Sequence, residues 1–194
     1  MVRLALFFVL QALLATWAHA DRQAELRQEA TALAAEFVGQ LKPQLQQAMT
    51  EGGPVRAIEV CADIAPDIAD SLSASSGWQV RRVSLRQRNA SRAVPDAWER
   101  QILEQFDQRQ AAGEPAAELF SDALQPAHYR YMRAQVTAPL CLACHGESLS
   151  GEVTAALEQY YPDDSARGYQ LGQVRGAISL TRPLQDDCGP EIEC

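Results

Sequence analysis

Cys141-Leu142-Ala143-Cys144-His145 places two thiols and an imidazole within little more than one helical turn. No other feature constrains the fold so tightly. The surrounding chain must present both sulfurs to one partner and aim the adjacent ring at the same place. In Cys-x-x-Cys-His the thiols can add to the two vinyl groups of a haem, and the histidine can reach its iron as an axial ligand. A chance match in a chain of this composition is expected only about 0.002 times. A zinc site would want a further ligand pair, for which only Cys188 and Cys194 offer themselves. A thioredoxin-like dithiol would follow a strand in a βαβ unit, whereas this motif falls late in a chain that reads as α+β. The expectation is one covalent haem c on Cys141, Cys144 and His145.

The N-terminus agrees. Residues 1–20 read as a secretory signal peptide, with Arg3, a mostly apolar run from Leu4 to Thr16, and the small-x-small site Ala18-His19-Ala20. The run is short for a membrane span, which needs about 20 apolar residues, and no later segment is long or apolar enough. The expected product is a periplasmic protein, not membrane-spanning after cleavage. What remains is enough for one domain with its own core. A formal net charge of −8 makes nucleic acid a poor partner.

An oxidising compartment pairs spare thiols. Of the five cysteines, Cys141 and Cys144 are consumed by the haem, and Cys188 and Cys194 flank a short Gly-Pro loop where they can pair. Cys61 is left over, on an apolar helix face, where a buried core cysteine is the plainer reading. The candidates for the second axial ligand are Cys61, His128, Met49 and Met132, the methionines also fitting a core. Arginines 81, 82, 86, 88 and 92 are dense around the first expected strand. Their forks suit carboxylates, including haem propionates. Arg86 and Arg88 are the candidates for that role, although surface pairing with the protein's own carboxylates is as good an account of any single one.

Periodicity predicts an amphipathic helix over 22–49 through Leu26, Ala30, Leu33, Phe37, Leu41 and Leu45. Gly52-Gly53-Pro54 ends it and opens a second helix carrying Ala57, Ile58, Cys61, Ala65 and Ile68, with Pro66 expected to break or bend it. A strand is expected near Trp78–Arg86, then a polar loop to Pro95. Asp96 and Glu99 form a capping box ahead of a helix buried through Trp98, Ile102 and Phe106. A second strand is expected over Tyr129–Val136, a short helix after Pro139, another over 153–160, a polar loop to Gln173 and a third strand over Val174–Leu180. The fold class is α+β with an antiparallel sheet.

Several stretches resemble a known family. They are Ala57-Ile58-Glu59-Val60-Cys61 with Ala65-Pro66, the run Gly77 to Arg86, Pro95-Asp96-Ala97-Trp98-Glu99, Cys141 to Gly146, and Tyr161-Pro162-Asp163-Asp164 through Arg175-Gly176-Ala177-Ile178-Ser179. Together they resemble the bacterial c-type haem family with a PAS-like fold, long filed as a domain of unknown function. Its members occur alone in the periplasm or as sensor modules of membrane kinases and cyclases. The resemblance implies a PAS-like antiparallel sheet flanked by helices, as a single domain over 21–183 with an N-terminal helix, and a tail over 184–194. It also implies an iron held by His145 and by a Cys61 thiolate. The function expected is a periplasmic monohaem redox or gas sensor, working with a redox partner or a membrane signalling protein. The alternative is a small electron-transfer cytochrome. No enzymatic activity is expected.

Overall fold

The computed structural model describes residues 2–184, with side chains from residue 21 onward. The tail and its expected Cys188–Cys194 disulfide lie outside the described residues, as do the side chains of the expected signal segment. Among the described residues, no helix is long and apolar enough to cross a membrane.

Helix α1 spans Val2–Ser76 and is helical throughout except at Gly52 (φ −149°) and Gly53 (φ 67°). The left-handed φ at Gly53 is open only to a residue without a Cβ penalty. The two arms on either side of this kink are the two helices the periodicity predicts. Pro54 follows the kink, at a first-turn position where a missing N–H costs nothing. Of the expected break or bend at Pro66, the break does not occur, because helical backbone continues past it to Ser76. Ala65, Ile68, Ala69 and Leu72 are buried in the same core as Leu26, Phe37 and Leu41, and that burial outweighs one lost hydrogen bond.

Four antiparallel strands follow: β1 (Gln79–Val83), β2 (Phe120–Leu124), β3 (His128–Val136) and β4 (Val174–Pro183), in the order β1-β4-β3-β2. Strand β1 is shorter than expected. Ser84 leaves the ladder, its N–H donating to Ala93 O (3.1 Å) and its hydroxyl to Arg175 O (2.7 Å). Strand β2 has no counterpart in the sequence reading. Its central Asp122 argues against a strand by propensity, yet Arg27, Gln23 and the Tyr129 hydroxyl all donate to that carboxylate.

The sheet carries one helix on each face. Trp78, Val80, Tyr129, Tyr131, Ile178 and Leu180 pack on α1. On the other face, Val83, Met132, Ala134, Val174 and Ala177 pack on Ile102, Leu103 and Phe106 of α2 (Ala97–Ala111). The α2 capping box forms as expected. Glu99 N–H donates to Asp96 Oδ1 and Asp96 N–H to Glu99 Oε2, both at 2.9 Å. Trp98 is only partly buried, under the guanidinium of Arg130, 4.3 Å from its ring centre. The motif enters α3 (Leu142–His145) from a 3-10 turn begun by Pro139. Helix α4 (Gly151–Tyr160) packs on Ile58 of α1 through Val153, Ala156 and Leu157.

The ladder between β3 and β4 contains a bulge. Gln135 pairs with Gly176 and Val136 with Val174, leaving Arg175 without a partner across the strand. Such an extra residue shifts the alternation of side chains and re-aims one of them. Val174 therefore joins the α2 face. At Gly176, with φ 154°, a Cβ would lie 2.5 Å from Val83 O of β1, so the position admits only glycine.

Candidate functional site

Between the second arm of α1, the motif and the β1/β4 edge of the sheet lies a cavity of ≈ 600 Å³. Pockets for cofactor-sized ligands run from about 300 to 1,000 Å³. Each structural element brings one part of its chemistry. Helix α1 carries Cys61, the 3-10 turn and α3 carry Cys141, Cys144 and His145, β1 carries Arg82, the loop after β1 carries Arg86 and Arg88, and the β4 bulge carries Arg175. All six site residues singled out from the sequence line this one cavity.

His145 is held rather than merely present. Its Nδ1 lies 2.8 Å from the carbonyl of Ala166, which can only accept, and 3.1 Å from an Arg88 nitrogen, which can only donate; Arg88 has carbonyls to donate to instead, so the shorter contact puts the proton on Nδ1. The ring therefore keeps Nε2 free as an acceptor. Burial pushes its pKa well below the ordinary histidine value, and Arg175 and Arg88 add to the push. A neutral imidazole with one nitrogen fixed by a carbonyl is the arrangement of a metal-ligating histidine. Tyr169 stands edge-on to the ring at 6.3 Å. The loop over 161–173 thus wraps the motif, with Tyr169 N–H on His145 O (2.9 Å) and Gly168 N–H on Gly146 O (3.0 Å).

Arg88 is the clamp between motif and loop. Its Nε lies 2.9 Å from Asp164 Oδ1, and its terminal nitrogen donates to the carbonyls of Cys144 and Ala166. The Asp164 carboxylate is fully buried and also takes Arg167 Nε (2.7 Å) and the Ala166 N–H (2.9 Å). Arg86 donates to Arg167 O (2.7 Å) and lies 3.8 Å over the Tyr169 ring. Asp164, Ala166 and Tyr169 escaped the sequence reading, where their segment is only a polar loop. The Tyr161 to Asp164 stretch carried the one signal that pointed there.

Cys61 is half-buried on the cavity wall. Burial pushes its thiol pKa up, while Arg82, Arg175 and Arg88 pull it down. Cys144 is pushed up to about 11, chiefly by burial. Of the rival ligands, Met132 is fully buried on the α2 face, and His128 pairs with Pro183 at the far end of β3. Neither lines the cavity, whereas Met49 does.

Fold and site together define an α+β protein with a cofactor-sized, thiol- and imidazole-lined cavity between a helix and an antiparallel sheet. Over residues 10–183 the sequence matches the Tll0287-like family model, and the chain belongs to that family. It is similar to the crystal structure of the cyanobacterial heme-protein Tll0287, with 27% sequence identity and a TM-score of 0.61, over 84% of this chain and 95% of that one. None of the curated proteins matches the sequence.

Proposed function

We propose that this chain is an exported monohaem c-type protein that acts as a redox or small-ligand sensor in the periplasm. The observation that carries the reading is the meeting of Cys141, Cys144, His145 and Cys61 around one cavity. Cys141 and Cys144 would hold the haem through thioethers, and His145 and Cys61 its iron. The donor set fits the group, since the imidazole is neutral and its Nδ1–H is already committed to Ala166. Membership of the family and likeness to a solved heme-protein support the same reading. The four-stranded antiparallel sheet flanked by helices agrees with the expected α+β class.

Haem bound there supplies a one-electron couple and an iron whose ligands can exchange. The protein's part is to fix one ligand and leave the other replaceable. His145 is fastened through Ala166, Arg88 and the buried Asp164. Cys61 comes from α1, outside that set of contacts, so with haem bound it would be the more replaceable of the two ligands. The output passes to a redox partner or a membrane signalling protein. A second reading, electron transfer, is favoured by the cavity mouth. Exposed Asp70, Ser91 and Arg92 line it, which would leave a haem edge near solvent.

Visible and electron paramagnetic resonance spectra of the purified oxidised protein, with its intact mass, test the reading. The expected result is one covalent haem on a chain beginning at Asp21, with low-spin iron and thiolate features. Cys61→Ser should retain covalent haem, lose the thiolate features and raise the reduction potential. A haem-free chain from cells with working cytochrome c maturation would overturn the proposal. An unchanged Cys61→Ser spectrum would pass the ligand assignment to Met49.

A further inference from the structure

The arginines around the cavity differ in what they already hold. Arg81 donates to Val94 O (2.8 Å), Arg92 pairs with Asp70, and Arg86 is bound to Arg167 O over Tyr169. Arg88 is paired to Asp164. Arg82 has one hydrogen-bond partner, the neutral Gln135 side-chain oxygen at 3.2 Å, and its guanidinium lies 5.9 Å from the centre of the Phe37 ring. Among the described residues, the Arg175 guanidinium has no hydrogen-bond or ion-pair partner, and its Nε is buried with none. Both line the cavity, and no carboxylate of the described residues lies within ion-pairing distance of either.

We propose that Arg82 and Arg175 form a two-cation seat for the pair of propionate carboxylates on the haem, an inference that rests on the haem reading above. An uncompensated charge drawn partly out of water is costly, and two lining one cavity are costlier. Their mutual effect is visible. The Arg82 pKa is lowered to about 10, first by burial and next by Arg175. A ligand that brings two carboxylates on one rigid ring answers both cations at once. Guanidinium forks match carboxylates bidentately. The chain also spends an irregularity on this placement, since Arg175 is the bulge residue and Gly176 permits the bulge to close on β1. Arg86 and Arg88, the candidates from sequence, have their donors engaged by loop 161–173 and act as its fasteners.

The test uses the full-length haem-loaded protein with Arg82→Gln, Arg175→Gln, the double variant, and Arg175→Lys. It reads covalent haem content by mass, the propionate bending bands by resonance Raman, and the midpoint potential. The expected result is unchanged haem content, shifted propionate bands in each Gln variant, and a lower potential, because lost positive charge near the iron favours the ferric state. Arg175→Lys should keep the potential near wild type but shift the band, having charge without the fork. Unchanged bands in the double variant overturn the proposal. So does a wild-type spectrum that responds to added inorganic phosphate, with that response lost in the Gln variants and the bands unmoved; the seat is then for a free anion. If the Gln variants do not accumulate, an unchanged band in Arg175→Lys overturns it. A wild-type chain without haem would instead overturn the preceding reading.

Discussion

On the α2 face of the sheet, Val83, Met132 and Ala177 meet Ile102, Leu103 and Phe106, and all six are buried. On the α1 face the same strands carry two unlike ends. One is as tightly filled, with Phe37, Trp78, Tyr129 and Tyr131. The other is the ≈ 600 Å³ cavity bordered by thiols, an imidazole and arginines. The contrast teaches that this chain has apolar side chains enough to close both faces. Where it stays open, it does so among groups that bind rather than pack. The α2 face serves as the rigid back of the site, and the irregular pieces (kink, bulge and wrapped loop) all fall on the open side.

The largest effect expected from this contrast is at Phe106. Phe106→Ala should cost about 3–5 kcal/mol in urea denaturation, by transfer and cavity terms together. Leu45→Ala, on the cavity wall, should cost about 1 kcal/mol or less in a haem-free chain, since Leu45 is only half-buried. Equal costs would break the comparison. Next comes Asp164→Asn. It leaves the Arg88 charge without its counter-ion, for a loss on the order of 3 kcal/mol. The amide oxygen can still take the Ala166 N–H, but its nitrogen can no longer accept from Arg167, so the loop that carries Ala166 should loosen and the His145 ring lose its single orientation, readable as a mixed spin state. Full retention of stability and spectrum would show that the loop is not what fixes the histidine.

The smallest effect concerns acid at the packed end. Burial raises the Asp122 pKa, but hydrogen bonds from Tyr129, Gln23 and Arg27 outweigh it, so the folded value lies below the ordinary one. The carboxylate therefore contributes stability that is present above about pH 4 and lost as pH falls through the depressed folded value. Urea midpoints measured down the acid limb should drop in the wild type and lack that component in Asp122→Asn. Parallel acid limbs would remove Asp122 from the packed end's support.

Much of this arrangement was readable in the sequence. The capping box at Asp96 and Glu99, the break at Gly52 and Gly53, and the motif's own helix follow from local chemistry, and local chemistry is what a sequence displays. Strand β2 was not readable, because Asp122 sits in a strand only by virtue of donors from α1 and β3. Pro66 does not end its helix for a related reason, since tertiary burial overrides a local preference. The site was half legible. Cys141, Cys144 and His145 announce themselves by spacing, and Cys61 by being left over. The roles of Arg86 and Arg88 turned on which arginines already have partners, which depends on a loop some 80 residues downstream. Arg175 stands apart from the arginine-dense stretch, and its aim comes from a bulge that leaves no mark in composition.

The carbonyl that orients His145 belongs to Ala166, 21 residues further along the chain. The pentapeptide is therefore not a portable unit. Grafted onto another scaffold, Cys141 to His145 would bring the means of attachment but not the ring's fixed tautomer. An engineer borrowing the site would have to carry over the segment 161–169 with Arg88, and would then be moving a clasp made of two strands of loop rather than a short tag.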